Sequence, residues 1–264
     1  MSASAALDVS AAIGAAQRAE PLRFRVADWM ALSPTLQQRQ QWLSWAGGAS
    51  PGAADAPDAA LPVALRRRVS AIGQMMFRAI YRLQDLPAAR FVFCSRHGEY
   101  RRTQALLDAV AAREQPSPAE FSLSVHNALA GLLSIARQND AGHTAVAAGS
   151  DSFGFGLLEA AAYLRVRPQE PVLLAYFDEP LPDEYAQFRD GEESSLALAL
   201  LLAPAGGDGG GDLALSCESK CAGDPARPSA TEQARDFLRF LLSGEGERMS
   251  AGGVVRWRWR RAAA

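Results

Sequence analysis

Residues 147–160 (AAGSDSFGFGLLEA) mark a corner at which a strand passes into a helix. The short apolar run Thr144–Ala148 predicts the strand, and the segment Ser152–Arg165 predicts the helix. A glycine inside a helix costs about 1 kcal/mol relative to alanine, so it is tolerated where close packing requires it. Gly154 and Gly156 therefore predict that this helix is buried against close neighbours.

Strands and helices alternate on both sides of this corner. Capping signals predict helix starts at Ser117 and Ser229, and the first of these helices is expected to run through Leu133 with His126 inside it. The glycine-rich turn Gly206–Asp212 predicts a hairpin between the apolar runs that flank it. This alternation indicates an α/β sheet. The predicted strands are Arg90–Cys94, Thr144–Ala148, Pro171–Phe177, Ser195–Ala203, Leu213–Cys217 and Val254–Arg260.

The composition is that of a globular protein and excludes several classes. The chain has 264 residues, a formal net charge of −2, 48% hydrophobic residues and 21% charged residues. A charge so close to zero gives no general attraction to nucleic acid or to an anionic membrane. The alternating Trp and Arg residues of 254–260 therefore predict an edge strand with buried tryptophans rather than a nucleotide-stacking strip. No apolar stretch reaches the length of a membrane span.

The N-terminal segment 1–21 is expected to be a loose leader rather than a signal peptide, because Asp8 comes early and no basic region precedes it. The three cysteines, Cys94, Cys217 and Cys221, favour free thiols in a reducing cytoplasm over a disulfide framework. The last two have the spacing of half a metal site, but no second ligand pair accompanies them. We expect no metal, no cofactor and a cytoplasmic location.

Residues Ser95–Glu99 (SRHGE) follow a predicted strand and resemble the phosphohistidine signature of the histidine phosphatases. In that family the His is the nucleophile and the Arg holds the phosphoryl group, so His97 with Arg96 is a candidate site of phosphoryl transfer. The family also needs a second His beside a further Arg, for which His126 and His143 are the candidates. The competing interpretation is a polar turn after a strand.

Ser150 lies at the start of the corner helix, where a helix N-terminus favours an anion. The residues around it, 149–154, do not have the G-x-S-x-G spacing of a serine nucleophile elbow. A stand-alone acyltransferase that uses Ser150 is a further hypothesis. The absence of an identified base counts against it, because an unactivated serine is a weak nucleophile.

Several segments together resemble the β-ketoacyl-synthase-like N-terminal domain family. More narrowly, they are similar to the short chain-length-factor-like proteins of aryl polyene (xanthomonadin-type) pigment clusters. The resemblance extends over residues 22–260, and it depends on the order and spacing of the motifs rather than on one of them. The motifs are Trp29, Trp42 and Trp45, residues 65–70 (LRRRVS), 95–99 (SRHGE), 121–131 (FSLSVHNALAG), 147–153 (AAGSDSF), 156–160 (GLLEA) and 256–260 (RWRWR).

The resemblance implies an α/β fold that is a single thiolase-like half, in which a mixed sheet carries helices on both faces and the second half of a ketosynthase is lacking. The domain would span residues 22–264. A thiolase-like half buries the strand before its nucleophile at a two-fold interface. Thr144–Gly149 is therefore expected to be an unpaired edge, and such an edge promotes association.

In a full ketosynthase, a Cys at the N-terminus of a buried helix attacks the acyl thioester, and two later residues, usually histidines, assist decarboxylation. By this resemblance Ser150 stands where the Cys would be, and the sequence has no His after His143. The resemblance implies a non-catalytic, chain-length-factor-type subunit. It would form a heterodimer with an active β-ketoacyl-ACP synthase in type II polyketide or aryl polyene biosynthesis and help to shape the acyl tunnel.

Two sets of residues have roles under this hypothesis. Those expected near the acyl tunnel, the two phenylalanines acting by bulk, are Ser150, Asp151, Ser152, Phe153 and Phe155. Those expected to meet the acidic surface of an acyl carrier protein are Arg66, Arg67 and Arg68, for which a solvated basic turn is an equally good interpretation.

Overall fold

A computed structural model describes residues 20–50, 52, 61–189, 194–206, 211–220 and 229–262. The predicted leader lies outside the described residues except for Glu20 and Pro21, and Cys221 also lies outside them. Among the described residues, no helix is long and apolar enough to cross a bilayer.

The described strands form one mixed sheet in the order β3-β2-β4-β5-β1-β6-β8-β7. β2 pairs in parallel with β3 and β4, and the remaining pairs are antiparallel. The strands are β1 (Leu22–Leu32), β2 (Arg90–Cys94), β3 (His143–Val146), β4 (Val172–Asp178), β5 (Leu196–Pro204), β6 (Asp212–Ser219), β7 (Glu247–Ala251) and β8 (Val255–Arg261).

Serine caps begin three of the helices. The hydroxyls of Ser70, Ser117 and Ser229 accept hydrogen bonds from the backbone three residues later, and at Ser229 the side chain of Glu232 completes the capping box. The helices are α1 (Arg39–Ala46), α2 (Val63–Arg66), α3 (Ala71–Tyr81), α4 (Tyr100–Ala111), α5 (Pro118–Leu123), α6 (Ala128–Arg137), α7 (Ser152–Val166) and α8 (Ala230–Ser243).

Helices cover both faces of the sheet at its central strands, as the α/β prediction requires. One core cluster lies on the side of α1, α7 and α8, and the other lies on the side of α2, α3 and α6. All seven residues of β4 and the first seven of β5 are buried, because they face both clusters. This mixed sheet with helices on both faces of its centre agrees with the architecture that the family resemblance implies.

The sheet curves around α7, and two of its strands, β2 and β8, pack closely against this helix. A Cβ added at Gly154 would lie 2.2 Å from the indole of Trp257 on β8. A Cβ added at Gly156 would lie 2.6 Å from the Sγ of Cys94 on β2. The prediction that these glycines mark close packing is thus confirmed, and β8 is the neighbour that the sequence did not identify.

Three sequence predictions about the elements need correction. The segment Gly206–Asp212 does not join a hairpin, because β1 pairs with β5 on one side and with β6 on the other and so separates them. The tail is a strand with fully buried Trp257 and Trp259, but it is not an edge, since β7 pairs outside it.

The third correction concerns the helix that begins after Ser117. It breaks into α5 and α6, and His126 lies in the turn between them. The hydroxyl of Ser124 donates to the carbonyl of Phe121 at 2.8 Å, and that of Ser122 donates to Pro118 at 2.8 Å. Such side-chain bonds compete with the helical backbone pattern and favour its termination here.

We expect Gly154→Ala to lower the free energy of unfolding by about 1–3 kcal/mol, although alanine is the better helix former, because the new methyl overlaps a buried indole ring. Urea denaturation of the purified protein measures this. Gly131→Ala in α6 is the matched control: apart from its chain neighbours and the backbone of its own helix, no atom lies within 4 Å of the added Cβ. That variant should be neutral or more stable by up to about 1 kcal/mol. Equal loss in both variants would contradict the packing argument.

Candidate functional site

The corner before α7 is a tight 3-10 turn, Gly149–Asp151. Gly149 has a φ of +59°, which favours glycine there. The hydroxyl of Ser152 donates to the carbonyl of Gly149 at 2.7 Å and accepts from the backbone of Ala148 at 3.0 Å. Ser150, within this turn, is 1% exposed. The turn therefore holds Ser150 at the start of a buried helix with little access to solvent.

Asp151 joins three parts of the chain. Its carboxylate accepts from the Nε1–H of Trp257 at 2.9 Å, from the backbone of Val254 at 2.9 Å and from the Nε2–H of Gln233 at 3.2 Å. The Oε1 of Gln233 in turn accepts from the backbone of Gly154 at 2.7 Å. Three donors satisfy this buried carboxylate, so it fastens α7, α8 and the turn before β8 together.

The two phenylalanines predicted near a tunnel lie on different sides of α7. Phe153 is fully buried and packs against Tyr176 and Phe237, with ring centroids 5.7 and 5.3 Å away. Phe155 is only partly buried and makes an edge contact with Trp257 at 5.1 Å. Phe153 therefore supports the helix from within the core, while Phe155 keeps some exposed surface.

A second polar corner follows β2, and its centre is Asp178 at the end of β4. The Asp178 carboxylate accepts from the hydroxyl of Ser95 at 3.0 Å and from the backbone of Arg96 at 2.9 Å and of His97 at 3.4 Å. Burial outweighs these hydrogen bonds and raises the pKa of Asp178 to about 6. Sequence reasoning missed this residue, whose signal was an acid directly after the apolar run that forms β4.

The other residues of the SRHGE segment also contact the backbone. Glu99 accepts from the backbone of Ser70 at 2.6 Å, and the Arg96 guanidinium donates to the carbonyl of Phe188 at 3.0 Å. His126 lies beside this corner, where its Nε2 donates to the carbonyl of Val146 at 3.2 Å. His143 begins β3, at the strand end opposite Val146. These contacts agree with the interpretation of the segment as a polar turn.

Neither described thiol is activated. Burial, together with the charge of Asp178, raises the pKa of Cys94, and burial raises that of Cys217. A thiol with a raised pKa is mostly protonated and weakly nucleophilic. Among the described residues, no group of three or more His, Cys, Asp or Glu side chains could hold a metal ion.

The β3 side of the sheet presents an open edge and exposed apolar side chains. Within the described residues, β3 pairs with β2 alone. The helix α6 packs against β3, α5 contacts α6, and α4 contacts α5. The helices α4 and α5 contain no buried residue over their whole described length. The bond from His126 to Val146 holds the adjoining Val125 near this edge. The exposed apolar residues of this region, which we call the edge patch, are Leu107 (50% exposed), Val110 (59%), Phe121 (66%) and Val125 (53%).

Arg66, Arg67 and Arg68 are all exposed at the end of α2. The carbonyl of Arg68 accepts from the Nη2–H of Arg102 at 2.8 Å, which ties this turn to α4. The three guanidinium groups thus form a basic turn that faces solvent, on the same part of the surface as α4.

The family model described as the N-terminal domain of beta-ketoacyl synthase matches residues 42–260. A solved ketosynthase in complex with its chain length factor from Xenorhabdus doucetiae contains a chain that is 29% identical, with a TM-score of 0.75; the match covers 91% of this chain and 100% of that one. A comparison with curated protein sequences finds no match.

Two further solved structures share the fold at lower identity. The ishigamide ketosynthase/chain length factor is 13% identical with a TM-score of 0.66, over 92% of this chain and 100% of that one. A type II polyketide acyl-carrier protein in complex with its ketosynthase contains a chain that is 14% identical with a TM-score of 0.55, over 69% of this chain and 62% of that one. Since the family match includes residues 95–99, the SRHGE segment belongs to a ketosynthase-like domain rather than to a histidine phosphatase.

The buried carboxylate of Asp178 predicts a pH dependence of stability. Its pKa of about 6 in the folded chain lies above the ordinary value of 3.8, so the folded state binds the proton more tightly. The stabilisation from this group is therefore complete below pH 4 and is lost as the pH rises through 6. The stability of the wild type relative to Asp178→Asn should fall by about 3 kcal/mol over that range.

Urea denaturation between pH 4 and pH 7.5 measures this difference. Ser95→Ala is the control, because it removes one donor to the carboxylate and keeps the titrating group, so the pH dependence should persist. A difference between the wild type and Asp178→Asn that does not change with pH would show that burial of Asp178 carries no such cost.

Proposed function

We propose that this chain, which belongs to the β-ketoacyl synthase N-terminal domain family, is a non-catalytic, chain-length-factor-type subunit. It would pair with an active β-ketoacyl-ACP synthase and shape the acyl tunnel in type II polyketide or aryl polyene biosynthesis. Residues 22–264 would form the family domain, with 1–21 as a leader. The relative from Xenorhabdus doucetiae supports this proposal, because it is a ketosynthase and chain length factor complex with one chain that this sequence covers completely.

The edge patch beside β3 is the single observation that carries the pairing. An edge strand exposes backbone donors and acceptors that another chain can satisfy. The four apolar side chains of the patch are each at least half exposed, and α4 and α5 have no buried residue of their own. Grouped exposed apolar residues mark protein interfaces more often than isolated ones do. A partner seated here would bury both the edge and the patch.

The chemistry of the corner supports a non-catalytic role. Ser150 stands at the position that the family resemblance gives to the nucleophile, but it is almost completely buried. A serine hydroxyl is a weak nucleophile unless a base activates it. The buried acid next to it, Asp151, already accepts three hydrogen bonds and holds the fold together. Asp151 is thus a structural carboxylate rather than a base for Ser150.

The tunnel residues would act through shape. The strand β3 ends at Val146, four residues before Ser150, so a partner at the edge patch also lies beside the corner. We propose that Ser150–Ser152 and Phe155 border the shared tunnel. Phe153 would act indirectly, because its packing in the core fixes the position of the helix that carries the tunnel residues.

The exposed basic turn of Arg66, Arg67 and Arg68 is our proposed contact for the acidic acyl carrier protein.

Co-expression with the neighbouring ketosynthase tests the pairing. The two chains should co-purify as a heterodimer, and Phe121→Glu with Val125→Glu should abolish it, because two charges would be buried in an apolar interface. Met249→Glu is the control: Met249 is 40% exposed on β7, at the opposite end of the sheet from β3, so its variant should still pair. Failure of the wild-type chains to co-purify would refute the proposal.

Product analysis of the reconstituted complex distinguishes a steric role of the tunnel residues from a catalytic role of Ser150. Ser150→Ala should leave the condensation rate within about twofold, since no step uses its hydroxyl. Phe155→Ala should lengthen the products while the heterodimer persists, because it removes bulk from the tunnel wall. Loss of all condensation in Ser150→Ala, with the heterodimer intact, would instead make Ser150 catalytic.

A further inference from the structure

The outer face of β1, β6, β8 and β7 is basic. The inward-facing residues of these strands, among them Phe24, Leu215, Trp257 and Trp259, are buried against α7 and α8. Their neighbours along each strand point to the opposite side, because side chains alternate in a strand. We call this opposite side the basic face; its charged members are Arg23, Arg25, Asp212, Glu218, Glu247, Arg256, Arg258 and Arg260.

The acids of this face are unevenly distributed. Glu218 pairs with Arg256 at 3.2 Å and with Arg258 at 3.1 Å, and Glu247 also pairs with Arg258 at 3.6 Å. One oxygen of Asp212 accepts from the backbone of Gly206 at 2.7 Å. Asp212 stands opposite Arg25 and Glu247 opposite Arg260 in the strand register, but the ion pairs described on this face all involve Arg256 or Arg258.

The other three arginines have no acid partner. In the part of the chain that the structure describes, Arg23, Arg25 and Arg260 make no ion pair and no side-chain hydrogen bond, and the Nε of Arg25 is buried without a partner. Neighbouring guanidinium groups that make no ion pair repel each other, and an anion bound between them would offset this repulsion. This end of the face therefore has an excess of unpaired donors.

Two of these arginines flank a cleft. Arg23 and Arg260 both pair in register with Ala214, one from each side, so their backbones stand about 10 Å apart across two strand spacings. The small side chain of Ala214 leaves a cleft of about 280 Å³ between them, whose other walls are Pro21, Arg261 and Ala262. Arg261 turns away, because its guanidinium donates to carbonyls at the end of α8. The cleft thus presents two guanidinium groups over a small, apolar floor.

We propose that this cleft binds a phosphate group, either free or as a phosphate ester. A guanidinium presents parallel N–H donors that match two oxygens of one phosphate, and two such groups from opposite sides can share a single anion. The site goes beyond the proposed function, since it needs no acyl chain and no partner. It lies five strand spacings from β3, about 24 Å along the sheet, so the pairing proposed above leaves it open.

Titration of the full chain, alone or in its co-purified complex, with inorganic phosphate at constant ionic strength tests the site by calorimetry. We expect saturable binding with one phosphate per chain. Arg23→Gln combined with Arg260→Gln should weaken it about tenfold or more, because charge-assisted hydrogen bonds are lost. Arg256→Gln combined with Arg258→Gln is the control; it removes the same two charges from the same face, where both arginines pair with Glu218, and should leave phosphate binding unchanged.

Further outcomes identify the ligand or overturn the proposal. Tighter binding of phosphopantetheine than of inorganic phosphate would support the cleft and identify a phosphate ester as its ligand, whereas equal affinity would support it with the free anion. Absence of saturable binding, or equal binding in the double variant with native circular dichroism, would overturn the proposal. Binding of a polyglutamate peptide without binding of phosphate would overturn it in favour of an acidic protein partner. None of these results depends on whether the ketosynthase pairs with the chain.

Discussion

The close packing of one sheet around the helix α7 is the constraint on which the rest of the structure depends. Gly154 lets the indole of Trp257 approach from β8, and Gly156 lets Cys94 approach from β2. Both strands belong to one curved sheet, so the chain covers its central helix with its own residues. Asp151 then fastens the start of that helix to the turn before β8 and to α8. A side chain at either glycine would push the helix and the sheet apart.

The two buried aspartates, Asp151 and Asp178, use their hydrogen bonds to hold the fold together. Asp151 is satisfied by three donors, and Asp178 holds the turn after β2 at the cost of a raised pKa. Both occupy corners at which an enzyme of this size would place reactive groups, but their hydrogen bonds serve the fold. Among the described residues, two surface features complement these corners: an apolar patch beside the edge strand β3, and a basic face on the other half of the sheet.

Local patterns of the sequence predicted the elements that depend on neighbouring residues. The serine cap at Ser117, the capping box at Ser229 and the apolar run of β4 lie where they were expected. The hairpin around Gly206–Asp212 was wrong, because the strand between its arms, β1, comes from the distant N-terminal part of the chain. Asp178 was missed for the same reason, since its role appears only when the end of β4 meets the turn after β2.

The sequence by itself determined the α/β class, the buried corner helix with its two glycines, and the family resemblance. It also determined that Ser150 stands at the start of that helix, because a glycine turn and helical spacing are local properties. Only the tertiary structure decided that Trp257 covers the helix, that Phe153 is in the core, and that Arg23 and Arg260 flank one cleft. These relations join residues that are far apart in the sequence, and strand pairing and core packing, which no local pattern encodes, bring them together.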